Sequence, residues 1–598
     1  MSYQSGKDSS AEQTIQKARN LLFSMGLFPH ETFWAQHAKN CYNVRLDLDG
    51  FQETGVNGKG VNRSYALASA YGELMERLQC GVLIKPKFGA MNQVSVTYPD
   101  SKNEEATDLI HRRRKFFERM YKINANELLK IFEGVKLNCL PFYHVNSKRE
   151  VYLPKNLMVS VTDTNGMCAG NTASEALVQG FSEIIERYVS KQINNLNIFP
   201  EIPIEKVTNS ILKAMIDDIL DKGYKLAIKD FTLGGEYPCL GVLIMDINTM
   251  SYFISIGVHP IFDIALQRCI TEAFQVHQVQ SKMHPLIDLF TNKNSDYVKQ
   301  FVLGAHKGSM NLLESNNIST VYQNAFVENY SSNDEMLKII CNKLLDQNYD
   351  IYIKDMSYLG FPSFYIYVNG MSELNEYTAE KLKNVFSNNI VSKYILNLKQ
   401  CNNDELHEIA LKMSELDEQF IKMGYSSEPK LRNKGIFSML SVIFQPGTDF
   451  NELLQDIDYF LTLLYNRLAD YEKAYSHLKK FIDRKSGNLQ GNKYFLCALH
   501  FLKLRAQGEN NIQEIRRILE YVYDTTAGEV IEDISIPENA FNYFDLPNCG
   551  DCSSCSYSDG RCAYPVWKDF MYRFQSHIST HPVKQDYLFL LFEKISIV

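Results

Sequence analysis

No apolar run in the 598-residue chain reaches the ~18–20 residues a helix needs to cross a bilayer. Met1 to Ser10 is polar where a secretory signal has an apolar centre, so the expected location is cytoplasmic, with no membrane partner. Extended basic tracts are missing too. The longest, Arg112-Arg113-Arg114-Lys115, is brief, and 62 Lys and Arg against 70 Asp and Glu leave a net charge of −8, which argues against direct nucleic-acid binding. No proline-rich or low-complexity linker marks a domain boundary. The common nucleotide signatures are absent as well. Gly55-Val-Asn-Gly58-Lys59-Gly60 lacks the Ser or Thr that follows Gly-Lys in a P-loop, and the kinase set of Lys, His-Arg-Asp and Asp-Phe-Gly does not occur.

What is present is a chain able to bury a large core, with 45% hydrophobic and 12% aromatic residues and length for two or three domains. Up to about residue 370, β-branched runs such as Leu240 to Met245 and Tyr252 to Val258 mix with helical patterns at Tyr65 to Gln79 and Ala173 to Val189. That texture reads as α/β (α+β). From Leu406 onward helix follows helix, at Phe450 to Tyr465, Asp470 to Ile482 and Lys493 to Arg505. The pair around Ala469 to Ala474 and Tyr494 to Leu504 suits a tetratricopeptide-like hairpin or a plain helical bundle. The expected division is 1–390, 405–540 and a Cys-rich segment 541–598.

One sequence occurs twice. Ser69-Ala-Tyr-Gly-Glu73-Leu-Met-Glu76-Arg77 returns as Gln179-Gly-Phe-Ser-Glu183-Ile-Ile-Glu186-Arg187, both reading E-x-x-E-R. At about 100° per residue, Ser69, Glu73, Glu76 and Arg77 share one helix face, opposite Leu67, Leu74 and Leu78. In the second copy Glu175, Gln179, Glu183, Glu186 and Arg187 share a face opposite Leu177, Phe181 and Ile184. Any amphipathic helix carries charge on its solvent side, and such i, i+4 pairs contribute only about 0.3–0.5 kcal/mol. Here, though, no lysine relieves the stacked glutamates. Divalent cations would relieve them, and Mg²⁺, which binds through one or two carboxylates plus phosphates, suits two such clusters around a triphosphate. The second helix opens from Asn165-Gly166-Met-Cys-Ala-Gly170-Asn171, a small-residue loop at a helix N-terminus that favours an anion. Thr172-Ala-Ser-Glu175 is also a capping box, so Glu175 reads equally as cap or ligand. A third helix, after His259-Pro260, places Arg268, Glu272 and Gln275 on one side, where positive charge could meet a transferring phosphoryl group.

These segments resemble the YcaO-domain family. The resemblance rests on Gly6-Lys7-Asp8, Asn57-Gly58-Lys59-Gly60 with Ala66-Leu-Ala-Ser69-Ala70, the block Asn165 to Arg187, and Gly257-Val-His259-Pro260 with Ala265-Leu-Gln-Arg268. It implies a YcaO-type ATP-binding domain followed by an all-helical, tetratricopeptide-like domain, and an Mg- and ATP-dependent enzyme that phosphorylates a backbone amide oxygen. It makes Glu73, Glu76, Glu183 and Glu186 the Mg ligands, with Ser69, Glu175 and Gln179 beside them. Lys7, Thr14, Arg187 and Arg268 would contact ATP, Glu272 would accompany them, and Glu76, Glu186, Arg187 and Arg268 would serve phosphoryl transfer. Thr14 stands where the family's namesake has serine, so a hydroxyl is kept. Within the family the resemblance is greatest to the namesake group, accessory factors in β-methylthiolation of a small-subunit ribosomal protein. The implied partners are therefore that protein, a radical methylthiotransferase and a second copy of the chain as a homodimer. The final residues, Phe592 to Val598, lack the proline-rich tail of azoline-forming members, and no fused peptide clamp is expected ahead of the domain. The alternatives are a nucleotide-binding scaffold that recruits the methylthiotransferase, or an azoline- or thioamide-forming cyclodehydratase.

Of 13 cysteines, most stand singly and suit buried thiols in a reducing compartment. Cys549, Cys552, Cys555 and Cys562 cluster within a short segment whose spacing suits a structural zinc site, an iron–sulfur cluster, or simply reduced thiols.

Overall fold

The computed structural model describes residues 6–48, 51–83, 96–193, 199–275, 283–291, 310–313, 318–327, 332–380, 382, 398, 401–422, 456–484, 492–541, 552–554, 564–580, 583 and 586–597. It divides into two compact units, Met1–Ile84 with Val96–Ala379 and Arg573–Val598, and Lys85–Ser95 with Glu380–Tyr572.

The first unit begins with an antiparallel three-stranded sheet of β1 (Pro29–Ala38), β2 (Cys41–Leu48) and β3 (Phe51–Gly60) in that order. Then follow β4 (Lys102–Glu105), β5 (Lys136–His144), β6 (Arg149–Leu153), β7 (Met167–Ala169), β8 (Glu201–Ile202), β9 (Tyr224–Asp230), β10 (Cys239–Asp246), β11 (Ser251–Val258), β12 (His284–Pro285), β13 (Ile351–Asp355) and β14 (Ser363–Val368). They form one sheet in the order β12-β11-β10-β9-β8 and another in the order β4-β5-β13-β14-β7, with β6 beside β5. Every ladder between named strands is antiparallel, so the class is α+β rather than α/β. Residue texture alone does not distinguish these. A β-rich run buries the same side chains whichever way its neighbour points.

Three helices position the site. The first glutamate helix, Arg63–Gln79, is capped by Asn62, whose side-chain oxygen accepts from the Tyr65 amide at 2.9 Å. It lies close against β3, where a Cβ on Gly58 would fall 2.1 Å from the Ala66 carbonyl oxygen and 2.5 Å from the Ala70 nitrogen. The second, Ala173–Gln192, is capped by Thr172. Its apolar face, with Leu177, Phe181 and Ile184, is sealed between Ile254 and Val258 of β11 and Phe364 and Ile366 of β14. Burial of each such side chain stabilises by about 1.5–3 kcal/mol, which fixes this helix as the unit's central element and leaves only its polar edge for chemistry. On the other face of the β11 sheet sits the arginine helix, Phe262–Ala273, whose Leu266, Cys269 and Ile270 pack with Val242 and Ile244 of β10. The last helix, Asp586–Lys594, adds Leu588, Leu591 and Phe592 to the core around the second glutamate helix.

In the second unit the described elements are helices: Asn403–Lys422, Ile457–Arg467, Tyr471–Arg484, Lys493–Ala506, Ile512–Tyr523 and Thr526–Ile534, with short 3₁₀ turns. They close a core of their own around Phe460, Leu464, Phe481, Phe501, Leu519 and Val530. The expected helix from Phe450 is described only from Ile457. Cys549, Cys555 and Cys562 lie outside the described residues, and Cys552 opens a short turn, Cys552–Ser554. The nine single cysteines, from Cys41 to Cys497, are buried. No described helix is long and apolar enough to cross a membrane.

Candidate functional site

The polar edges of the three helices converge on a cavity of about 470 Å³ in the first unit. Ser69, Glu73 and Glu76 enter from the first glutamate helix, and Glu175, Gln179, Glu183, Glu186 and Arg187 from the second. Arg268 and Glu272 come from the arginine helix, and Lys7 and Thr14 from the N-terminal segment. Every candidate outside the cysteine cluster therefore lines one space. The repeat places two glutamate pairs on facing helices because each helix buries its leucine and isoleucine side elsewhere and presents its remaining face inward.

Electrostatics inside the cavity are those of acids short of water. Desolvation pushes the Glu76 carboxyl well above the usual range; Arg77 opposes this, while Glu183 and Glu73 add like-charge repulsion. Glu73 is raised by desolvation against the pull of Arg77 and Lys59. Glu183 is raised by desolvation too, with Arg187 lowering it and Glu186 raising it. Each acid has a cation in reach. Arg77 donates to Glu73 at 3.2 Å and stands 3.6 Å from Glu76, while Arg268 lies 3.6 Å from Glu186 and donates to the Gln179 side-chain oxygen at 2.5 Å. Lys59 of β3 pairs with Glu272.

The phosphate-loop expectation for residues 165–171 meets a different arrangement. At that helix N-terminus the anions are the chain's own. The Thr172 hydroxyl donates to Asp8, and the buried Glu175 carboxylate accepts from Lys7 at 3.1 Å, from the Asp8 amide at 2.9 Å and from Asn171. Thr172 caps the helix by accepting from the Glu175 amide at 3.2 Å. Glu175 thus ties the N-terminal segment down. Thr14 is drawn in the same way, donating to the Asn171 side-chain oxygen at 2.6 Å.

Sequence reading left several lining residues without a role, among them Lys59, Arg77, Asn333 and His259. Lys59 was visible only as part of a glycine-flanked motif, and Arg77 only as an i+4 partner. Asn333 opens the helix Asn333–Asp346, far along the chain, and its side-chain nitrogen donates to Asp8 at 2.8 Å. His259 takes the Ile261 amide on Nδ1 at 3.1 Å, and burial, Arg268 and Lys7 hold its basicity well below the usual value, so it is a neutral wall of the cavity. No spacing rule reaches Asn333. Only folding brings it to the others.

The donor set is carboxylate oxygen without sulfur, flanked by lysine and arginine, which fits hard Mg²⁺ with a triphosphate. Among the described residues no three His, Cys, Asp or Glu side chains already converge on one point as a formed metal site. The model of the YcaO family, described as a cyclodehydratase binding ATP and Mg²⁺, matches residues 57–372, which holds both glutamate helices and the arginine helix. The chain belongs to the YcaO family. The Escherichia coli ribosomal protein S12 methylthiotransferase accessory factor YcaO is 30% identical over 403 residues, 63% of this chain and 67% of that protein. An uncharacterized Haemophilus influenzae protein is 27% identical over 407 residues, covering 64% and 68%. Among solved structures, YcaO from Methanopyrus kandleri bound with AMPPCP and Mg²⁺ aligns with a TM-score of 0.41 and 14% identity, over 61% of this chain and 92% of that one. A heterocyclase in complex with substrate and cofactor aligns with a TM-score of 0.45 and 16% identity, over 62% and 53%.

Proposed function

We propose that this YcaO protein is an Mg²⁺-dependent ATP-utilising enzyme that activates a backbone amide by phosphorylating its oxygen. The observation that carries this reading is the convergence of both E-x-x-E-R helices and Arg268 on one cavity, large enough for a nucleotide and cationic at its margins. Bound Mg²⁺ would neutralise phosphate charge and align the transferred group. Glu73 and Glu76 on one wall, and Glu183 and Glu186 on the other, are the side chains to hold it. Lys7, Arg187 and Arg268 would meet the triphosphate, with Ser69, Thr14, Gln179 and Glu272 completing the cradle and Glu175 holding Lys7 in place. A preorganised guanidinium at Arg268, already set by Gln179 and Glu186, stabilises charge on a transferring phosphoryl without reorganising.

The acceptor in this reading is a protein or peptide amide. By likeness to the Escherichia coli accessory factor it belongs to a small-subunit ribosomal protein, with a radical methylthiotransferase as partner and the helical unit, tetratricopeptide-like in its hairpin sequence, as docking module. The test is ATP turnover by the full chain with and without Mg²⁺, beside Glu76→Gln and Glu186→Gln. Turnover that needs Mg²⁺ and falls at least ~100-fold in each variant supports the reading, since loss of one electrostatic element at a transferring group costs that much. Nucleotide binding without turnover, unchanged by either substitution even with cell extract added, leaves a nucleotide-binding scaffold instead.

A further inference from the structure

Arg77 is turned by its own helix back upon the glutamates of the first pair. Its terminal nitrogen donates to Glu73 at 3.2 Å, and its Nε lies 3.6 Å from Glu76 Oε1, beyond hydrogen-bond length. That Nε is shut off from solvent and makes no hydrogen bond. Glu183, on the facing helix, and Asp163, at the end of the helix Lys155–Thr162, extend the acidic field around the guanidinium. A structural ion pair in a protein interior usually satisfies every donor. Arg77 instead stands against two carboxylates at once, donating to one and too far from the other to bond, and its buried Nε, like that of Arg268, is left unmet, which fits charge compensation better than a finished bridge.

The oxygens it holds are those a hard divalent cation needs. Since no three acidic side chains among the described residues already converge, a cation entering between the helices must first draw carboxylates away from a guanidinium. We propose that Arg77 is the resident counter-ion of the first glutamate pair. A divalent cation gains Glu73 and Glu76 only by displacing it, so the free ion is held weakly and binds well only when it arrives with a polyphosphate. At the second glutamate pair Arg268, from another helix, stands 3.6 Å from Glu186 and also holds Gln179, while Arg187 of the pair's own helix draws on Glu183. This inference rests on the reading of the glutamates as cation ligands.

The test is Mn²⁺ binding to the full chain without nucleotide, read from the electron paramagnetic resonance signal of free Mn²⁺. Arg77→Gln is expected to bind Mn²⁺ at least about tenfold more tightly than the parent, because a unit positive charge beside a divalent ion is removed. A merely structural arginine predicts the reverse, weaker binding. Unchanged or weaker binding overturns the proposal. Should Arg77→Gln fail to fold, Arg77→Met carries the test, since it keeps the aliphatic stem and removes the charge; tighter Mn²⁺ binding is again expected, and no tightening overturns it. Mn²⁺ binding in the presence of ATP, measured on Glu76→Gln, tests the underlying reading separately. If it survives there, the glutamates are not the ligands and both inferences fall. If it is lost there and Arg77→Gln shows no tightening, only the counter-ion role falls.

Discussion

At the scale of single residues, the cavity stores electrostatic cost. Glu76 is largely shielded from water and lies near Glu73 and Glu183, so replacing it with glutamine removes repulsion without changing shape. Glu76→Gln is expected to raise the melting temperature of the first unit in the absence of nucleotide while losing turnover, a trade between stability and function. Calorimetry of the two proteins checks it, and a lower melting point would count against the repulsion. The second unit shows the opposite sign. Fully buried Asp458 accepts from His477 at 2.9 Å and pairs with Arg484 at 2.6 Å, and Arg484 also holds Asp456 at 2.6 Å. Desolvation works against ionisation of Asp458, but His477 and Arg484 outweigh it and hold its carboxyl below the ordinary range. Its stabilisation is therefore complete above the unfolded value near ~4 and is lost as pH falls through the lower folded value. Arg484→Met, which takes the guanidinium away from two buried carboxylates, should cost the second unit about 3–5 kcal/mol in urea unfolding. The sequence showed the four glutamates of the two E-x-x-E-R copies plainly because like charges without lysine are unusual at helical spacing. It showed nothing of Asp456 and Asp458, whose partner Arg484 lies on the following helix.

At the scale of elements, the helices sit where glycine lets them. Gly58 on β3 and Gly257 on β11 face the first glutamate helix and the arginine helix, and a Cβ on Gly257 would lie 2.3 Å from the Ala265 carbonyl oxygen. Gly58→Ala and Gly257→Ala should each destabilise by about 1–3 kcal/mol or more through overpacking against backbone, and shift the carboxylates or Arg268 with their helices. Gly72 provides the contrast. It lies within the first glutamate helix with open space around its Cβ position, so Gly72→Ala is expected to stabilise by about 0.5–1 kcal/mol. Denaturant midpoints for the three variants test whether close approach, rather than glycine itself, sets the cost. Helix extents were readable to within a few residues: Tyr65 to Gln79 became Arg63–Gln79, and Ala173 to Val189 became Ala173–Gln192. Strand direction was not, because alternation along a strand is blind to its neighbour.

At the scale of the whole molecule, the two units have separate cores. A non-hydrolysable ATP analogue with Mg²⁺, at a hundred times its dissociation constant, should stabilise the first unit by about 2.7 kcal/mol and leave the transition of the second unmoved. Scanning calorimetry of the full chain reads both. A shift of the helical unit alone would place the nucleotide elsewhere.

What the sequence determined by itself was two helices with stacked glutamates, an arginine helix, and a helical C-terminal third. Each follows from local periodicity and charge. Only the tertiary structure decided which cation each acid meets, that Glu175 ties down the N-terminal segment, and that Asn333 and His259 complete the cavity wall. Those pairings depend on contacts across hundreds of residues, made when antiparallel sheets bury the apolar faces of the helices, and no short-range pattern encodes them.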